Sequence, residues 1–305
     1  MNLETNEPKQ AANLGKVYRI PSLKRMGNNA IMYWLLSQYK GQTIYLNEVA
    51  PFSKPFLAYG CKPLEENWNL EAFFYRNEDW PVSLLNSRFN DAIFDDYYIN
   101  YESKTDILIL RDPFNHLASR YKAGFFQTKS SLYNCADLWL ILAREYAGHT
   151  NFCKNKIQIN YNKWTKDIDY RKSISAIFGT SFSDEKLNVV AKDGGGSSFN
   201  QFEYQGNAGK METTNRWKHF LNNEGYMGIF KNKEIYDLSD KIFGNETILD
   251  AETNDLIIKN FSMKTEKLTN FKISVANLTF PILCRLKYCL KLGAIGQLNE
   301  QNCNS

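Results

Sequence analysis

The chain is poor in groups that could hold a metal. Its three histidines lie far apart, and its six cysteines, at 61, 135, 153, 284, 289 and 303, form no Cys-x-x-Cys pair. That pattern argues against a zinc module and for reduced, mostly buried thiols. No run of 18 apolar residues occurs, so no transmembrane helix is expected. Met1 to Lys16 is polar and lacks an apolar signal core, which points to a cytoplasmic location. The net charge of +4 is too small to imply a nucleic-acid partner, although it suits an anionic small molecule. Both common nucleotide signatures are also missing. There is no Gly-x-x-x-x-Gly-Lys-Ser/Thr, whose hydroxyl would hold Mg²⁺, and no Gly-x-Gly-x-x-Gly.

What the chain does have is 305 residues, 43% of them hydrophobic, enough for one large core or a core with an appendage. Val17-Tyr18-Arg19-Ile20 runs into Pro21-Ser22-Leu23-Lys24-Arg25-Met26-Gly27-Asn28-Asn29, and the apolar stretch Ala30 to Leu36 follows at once. This reads as strand, basic loop and helix N-terminus. The first N–H groups of a helix lack intrahelical partners and carry the positive end of its dipole, so the junction suits an anion. Gly27 lets backbone approach a phosphate-like group, Arg25 supplies charge and donors, and Lys24 is a second donor or a surface charge. Asn28 and Asn29 can cap the helix, bind the anion, or both.

A second stretch lies about eighty residues on. Thr105-Asp106-Ile107-Leu108-Ile109-Leu110 reads as a buried strand. It ends in Arg111-Asp112-Pro113, where Asp112 can cap a helix whose first residue is Pro113. Arg111 sits at the strand's C-terminal end, where open α/β sheets bind ligands, and Ser119 follows two helical turns along. A Walker-B-like strand with Asp112 on Mg²⁺ is the competing reading, and the missing Gly-Lys-Ser/Thr speaks against it.

Together these stretches resemble the sulfotransferases that use 3′-phosphoadenosine 5′-phosphosulfate. Arg25, Gly27, Asn28 and Asn29 occupy the places of that family's 5′-phosphosulfate loop, with arginine in the manner of the carbohydrate sulfotransferases. Arg111 and Ser119 match its 3′-phosphate pair. Asn215-Arg216-Trp217-Lys218-His219-Phe220 is similar to its late Trp-Lys/Arg element. The resemblance spans roughly residues 16–245. It implies a P-loop-like α/β fold with a central parallel sheet flanked by helices. It also implies metal-independent transfer of a sulfuryl group to a hydroxyl or amine of a carbohydrate or similar acceptor, leaving 3′,5′-adenosine bisphosphate. The alternatives are a phosphotransferase on the same fold and a nucleotide-binding module that does not turn over.

Cytosolic members of that family use a histidine base between the two phosphate motifs, and residues 26–110 contain none. Heparan-type members use a glutamate at the end of the second strand, and Glu48 stands at the matching place. His116, His149 and His219 are weaker candidates. The segment 180–214, rich in Gly, Ser, Asn and Lys, is long for a connection and suits a cofactor lid carrying Lys192 and Lys210, with Arg216 just beyond.

Elsewhere the pattern alternates strand and helix, which argues for a parallel sheet. Strands are expected at 42–46, 81–85 and 156–161, and helices at 113–126, 131–149, 162–178 and 215–243. The aromatic-rich stretch 51–81 reads as irregular structure over the sheet edge, either an acceptor wall or ordinary packing. The sulfotransferase-like domain would occupy 16–250, with a helical extension over 251–305. There Pro281 to Leu292 makes a basic amphipathic helix that could lie on an anionic membrane or dock on the protein's own surface.

Overall fold

The computed structural model describes residues 13–49, 69–79, 101–125, 129–192, 195–230 and 232–244, with only the backbone described over 129–134. The chain divides into two units, 1–257 and 258–305, and all described residues fall in the first. The expected C-terminal extension and its basic helix, and the strand expected at 81–85, lie outside the described residues.

Five strands form one all-parallel sheet: β1 (Lys16–Ser22), β2 (Thr43–Leu46), β3 (Ala72–Glu78), β4 (Ser103–Leu110) and β5 (Lys156–Asn160). Their spatial order is β2-β3-β1-β4-β5. The helices are α1 (Asn28–Leu36), α2 (Pro113–Lys122), α3 (Lys129–Tyr146), α4 (Tyr161–Lys166), α5 (Ile168–Phe178), α6 (Glu224–Ile229) and α7 (Lys233–Phe243). From the central β1 the chain builds first toward β2 and β3, then crosses to β4 and β5. The crevice at the C-terminal ends of β1 and β4 is therefore the topological switch point, the usual ligand position in open α/β sheets.

The sheet is hydrophobic on both faces, as parallel sheets with covered faces require. Tyr18, Ile20, Ala72 and Phe74 belong to the larger core with α1, α2, α3 and α5. Val17, Phe73 and Tyr75, one residue out of phase, belong to a smaller core with Leu14, Val49 and Leu70. Among the described residues, no helix is long and apolar enough to cross a membrane. Cys135 and Cys153 are buried free thiols, and the other four cysteines lie outside the described residues.

Two expectations need correction. Residues 72–78, expected to be irregular, form β3, which pairs with both β1 and β2. Phe73, Phe74 and Tyr75 are core residues rather than an acceptor wall. The strand was obscured because its last three residues, Arg76, Asn77 and Glu78, are polar yet buried, each with an internal partner. The helix expected over 162–178 is two helices. Asp167 stops α4 and caps α5, its side chain accepting from the Asp169 and Tyr170 N–H groups at 2.9 and 3.0 Å. The helices expected over 215–243 are a 3₁₀ turn (Arg216–Phe220), α6 and α7, with Asn223 and Asn232 capping the last two.

Candidate active site

Each strand hands its C-terminal end to one cleft of about 210 Å³. After β1 comes the basic loop. Leu23 and Met26 anchor it in the core, so Lys24 and Arg25 are carried outward between two fixed points. Arg25 takes a left-handed φ of 69° and Gly27 one of 91°. The second position demands glycine twice over, because a Cβ there would lie 2.1 Å from the Tyr161 ring. Asp79 accepts from the Lys24 N–H at 3.1 Å, and Arg120 donates to the Lys24 carbonyl at 3.2 Å. Arg120 also forks onto Asp79 at 2.6 and 3.1 Å, so the loop is clamped from outside.

Asn28 and Asn29 line the cleft, but their side chains brace it rather than cap the helix. Asn28 Nδ2 donates to Ser22 Oγ, the Leu23 carbonyl and Glu78 Oε1. Asn29 Oδ1 accepts from Arg76 at 2.6 Å. The helix N-cap is Gly27, which offers no side chain.

After β4 comes Arg111, 2% exposed. Asp112 caps α2 as expected, accepting from the Asn115 N–H at 2.8 Å. Its other oxygen accepts from Asn162 at 3.0 Å and the residue is fully buried, so its carboxylate is committed to structure rather than to a metal. The cap fixes the phase of α2 and brings Ser119 round to Arg111, with Nη1 3.2 Å from Ser119 Oγ. Arg216, 6% exposed, donates to the same Oγ at 3.0 Å from 97 residues away. Its backbone N–H is held by Asn115 Oδ1 at 2.8 Å, so one short stretch of α2 positions both arginines. The Arg111 guanidinium lies over the Tyr161 ring at 5.0 Å and donates to the Thr213 carbonyl, and Arg216 lies over Phe199 at 5.0 Å.

Arg25, Arg111 and Arg216 make no ion pair among the described residues. Burial, then the positive field of Arg111, outweighs Tyr161 and, with Arg25, pulls the Arg216 pKa down to about 10. Burial also lowers Arg25, helped by Arg120 and opposed by Glu78. Two buried cations and a half-buried third, mutually repelling and unpaired with a carboxylate, are what an anion site requires. In their present arrangement the donors rest on segment 195–216: Arg25 on the Gly196 carbonyl at 2.9 Å, Arg216 on Ser197 Oγ at 3.1 Å.

The opposite end of the cleft is different. Glu48 follows β2 in a left-handed conformation (φ 58°) and takes the Lys24 ammonium at 2.6 Å. Burial pulls Lys24 down, but Glu48 more than restores it, with Glu78 and Asp79 adding to the rise. Beside this pair stand Arg76 and Glu78 at the end of β3, 3.1 Å apart. Arg76 also donates to Asn47 and Asn29, tying the ends of β2 and β3 to the start of α1.

Of the residues singled out in the sequence, nine therefore line the cleft: Lys24, Arg25, Gly27, Asn28, Asn29, Glu48, Arg111, Ser119 and Arg216. Lys210 does not; it ends an exposed 3₁₀ turn, although Ala208 and Met211 on either side do line it. None of the histidines lines it. His116 is fully buried with Nδ1 3.3 Å from Met26 Sδ, and its pKa is held well down by burial and by Arg120 and Arg111. His149 and His219 are exposed. Sequence reasoning missed Arg76, Glu78 and Tyr161. Polar residues closing a buried strand were the available signal for the first two, and the position just after β5 was the signal for the third.

Neither a family model nor a curated protein matches the chain. Among solved structures, it is similar to one described as the sulfotransferase domain from the Synechococcus PCC 7002 olefin synthase. The likeness covers 75% of this chain and 94% of that one, at 12% identity and a TM-score of 0.46. That is a loose likeness of chain course, and the chemistry below rests on the cleft.

Proposed function

We propose that the protein is a sulfotransferase that moves a sulfuryl group from 3′-phosphoadenosine 5′-phosphosulfate to a hydroxyl or amine, with a carbohydrate or similar polyol as acceptor. The observation that carries this reading is the set of two buried arginines, Arg111 and Arg216, and the half-buried Arg25, none ion-paired to a carboxylate among the described residues, distributed over two subsites of one cleft. Arg111, Arg216 and Ser119 form a pocket for the 3′-phosphate. Arg25, Lys24 and the first turn of α1 form one for the 5′-phosphosulfate. In the reaction the acceptor oxygen forms a bond to sulfur while the bond from sulfur to the bridging oxygen breaks. The electron pair leaves on the 5′-phosphate, where Arg25 and the helix N-terminus stabilise the growing charge. The acceptor's proton goes to a carboxylate at the far end. Glu48, marked by the family resemblance, stands there beside Glu78.

Thermal-shift titration with 3′,5′-adenosine bisphosphate, against ATP and adenosine monophosphate, tests the reading. The bisphosphate should raise the unfolding midpoint most, and EDTA should not diminish its effect. Stabilisation by ATP only with Mg²⁺, and none by the bisphosphate, would instead indicate a phosphotransferase. Within the pocket, Ser119→Ala should weaken the bisphosphate by about 1 kcal/mol, roughly fivefold, because it removes one neutral hydroxyl while both guanidinium groups remain.

A further inference from the structure

We propose that Glu78, at the C-terminal end of β3, is the general base that receives the acceptor's proton. The inference rests on the sulfotransferase reading and adds to it a residue outside the family's recognised motifs. The geometry is that of an oriented base. Glu78 is only 9% exposed, yet it lines the cleft. Its ion pair and its hydrogen bond meet on one oxygen: Oε1 lies 3.1 Å from Arg76 Nη2 and accepts from Asn28 Nδ2 at 3.3 Å. Oε2 accepts no hydrogen bond among the described residues, and it is not sealed from solvent. One oxygen is thus anchored and the other offered to the cleft.

Its neighbours place that oxygen at the reacting end. Asn28, which holds Oε1, is the first residue of α1, and the helix start is the cradle for the sulfuryl-bearing phosphate. Glu78 is also close enough to Arg25 for its charge to raise the Arg25 pKa. Glu48 is placed differently. It is more exposed, and its carboxylate is already engaged with the Lys24 ammonium at 2.6 Å, so a proton from the acceptor would have to displace that ion pair. In this arrangement Glu48 is a positioning residue for Lys24. As the acceptor oxygen attacks sulfur, its proton passes to Glu78 Oε2, and the bridging S–O electron pair leaves on the phosphate.

The charged groups facing Glu78 are Arg76 on its own strand, Asp79 just beyond it, Lys24 and Arg25 in the β1 loop and Glu48 after β2. Burial, then Asp79 and Glu48, raise its pKa from the ordinary glutamate value against Arg76 and Lys24. Such a group is a stronger base than a solvated glutamate once ionised, and it imposes an acidic limb on the rate.

The experiment uses the whole chain with 3′-phosphoadenosine 5′-phosphosulfate and a mixture of hydroxyl acceptors, water included, following bisphosphate release against pH. Bisphosphate affinity is measured in parallel by calorimetry. Glu78→Gln should lower turnover by about 10²-fold or more and abolish the acidic limb, with bisphosphate affinity within twofold of wild type. Glu78→Asp should restore part of the rate and the limb. Glu48→Gln should lose less than Glu78→Gln and keep the limb. A Glu78→Gln protein with wild-type turnover, or with rate and affinity lost together, overturns the proposal. So does a wild-type chain that binds the bisphosphate but transfers to no acceptor. A wild-type chain that does not bind the bisphosphate overturns the underlying reading instead.

Discussion

Arg111→Met should weaken 3′,5′-adenosine bisphosphate by about 10- to 150-fold while leaving the ligand-free protein as stable as the wild type, or more so. The affinity loss follows from removing a charge-assisted contact of roughly 1.5–3 kcal/mol. The stability expectation comes from a different term. Arg111 and Arg216 share one hydroxyl, and neither is ion-paired to a carboxylate among the described residues. The lowered Arg216 pKa records their repulsion and burial. A base whose folded pKa lies below its unfolded value opposes folding wherever it is protonated in both states. That holds throughout neutral pH and eases only as pH rises through the folded value. Methionine retains packing against Tyr161 but removes one of the two charges. Opposite signs for the two effects would mark the arginine pair as kept for a ligand at a cost to stability. Calorimetric binding with thermal unfolding on the same samples decides it. Unchanged affinity in a folded variant would remove the 3′-phosphate assignment.

How far this cleft could be read from the chain depends on how local each feature is. The turn from β1 into α1 is written in consecutive residues, 17–36, and it forms as expected. Asp112 and Pro113 announce a helix start, and helical spacing alone then carries Ser119 back to Arg111. The convergence of Arg216 on the same hydroxyl has no local signature, since it lies 97 positions further along the chain and the course of segment 180–215 decides it. The same course leaves Lys210 off the cleft. The role of Asn28 was open for a related reason. A helix-start asparagine ordinarily caps through Oδ1, but here the bonds from Nδ2 to Ser22 and Glu78 fix the side chain in competition with a capping pose. That competition exists only because β3 lies beside β1, and β3 was hidden by its polar end. Glu78 therefore became visible only through tertiary structure, whereas Glu48 could be placed by its position after β2.

The other large effect is expected at Gly27, where the loop's conformation and its contact with Tyr161 impose separate demands. Gly27→Ala places a Cβ 2.1 and 2.3 Å from two atoms of the Tyr161 ring, on a residue with φ of 91°. The left-handed backbone alone costs about 1–2 kcal/mol for a residue with a side chain. The ring cannot easily yield, because it is buried, packs against Trp164 at 5.9 Å and carries the Arg111 guanidinium on its face. Together the two demands should cost on the order of 2–4 kcal/mol, lowering the unfolding midpoint by roughly 5–15 °C. Bisphosphate affinity should fall as well, because relief comes only by moving the helix start or displacing the ring from under Arg111. Tyr161→Ala separates the two demands. In the Gly27→Ala/Tyr161→Ala double variant the clash is gone and the backbone strain remains, so the combined stability loss should be smaller than the sum of the single losses by about 1 kcal/mol or more. Strictly additive losses would show that the ring does not constrain the loop, and that glycine is required at position 27 for its backbone freedom alone.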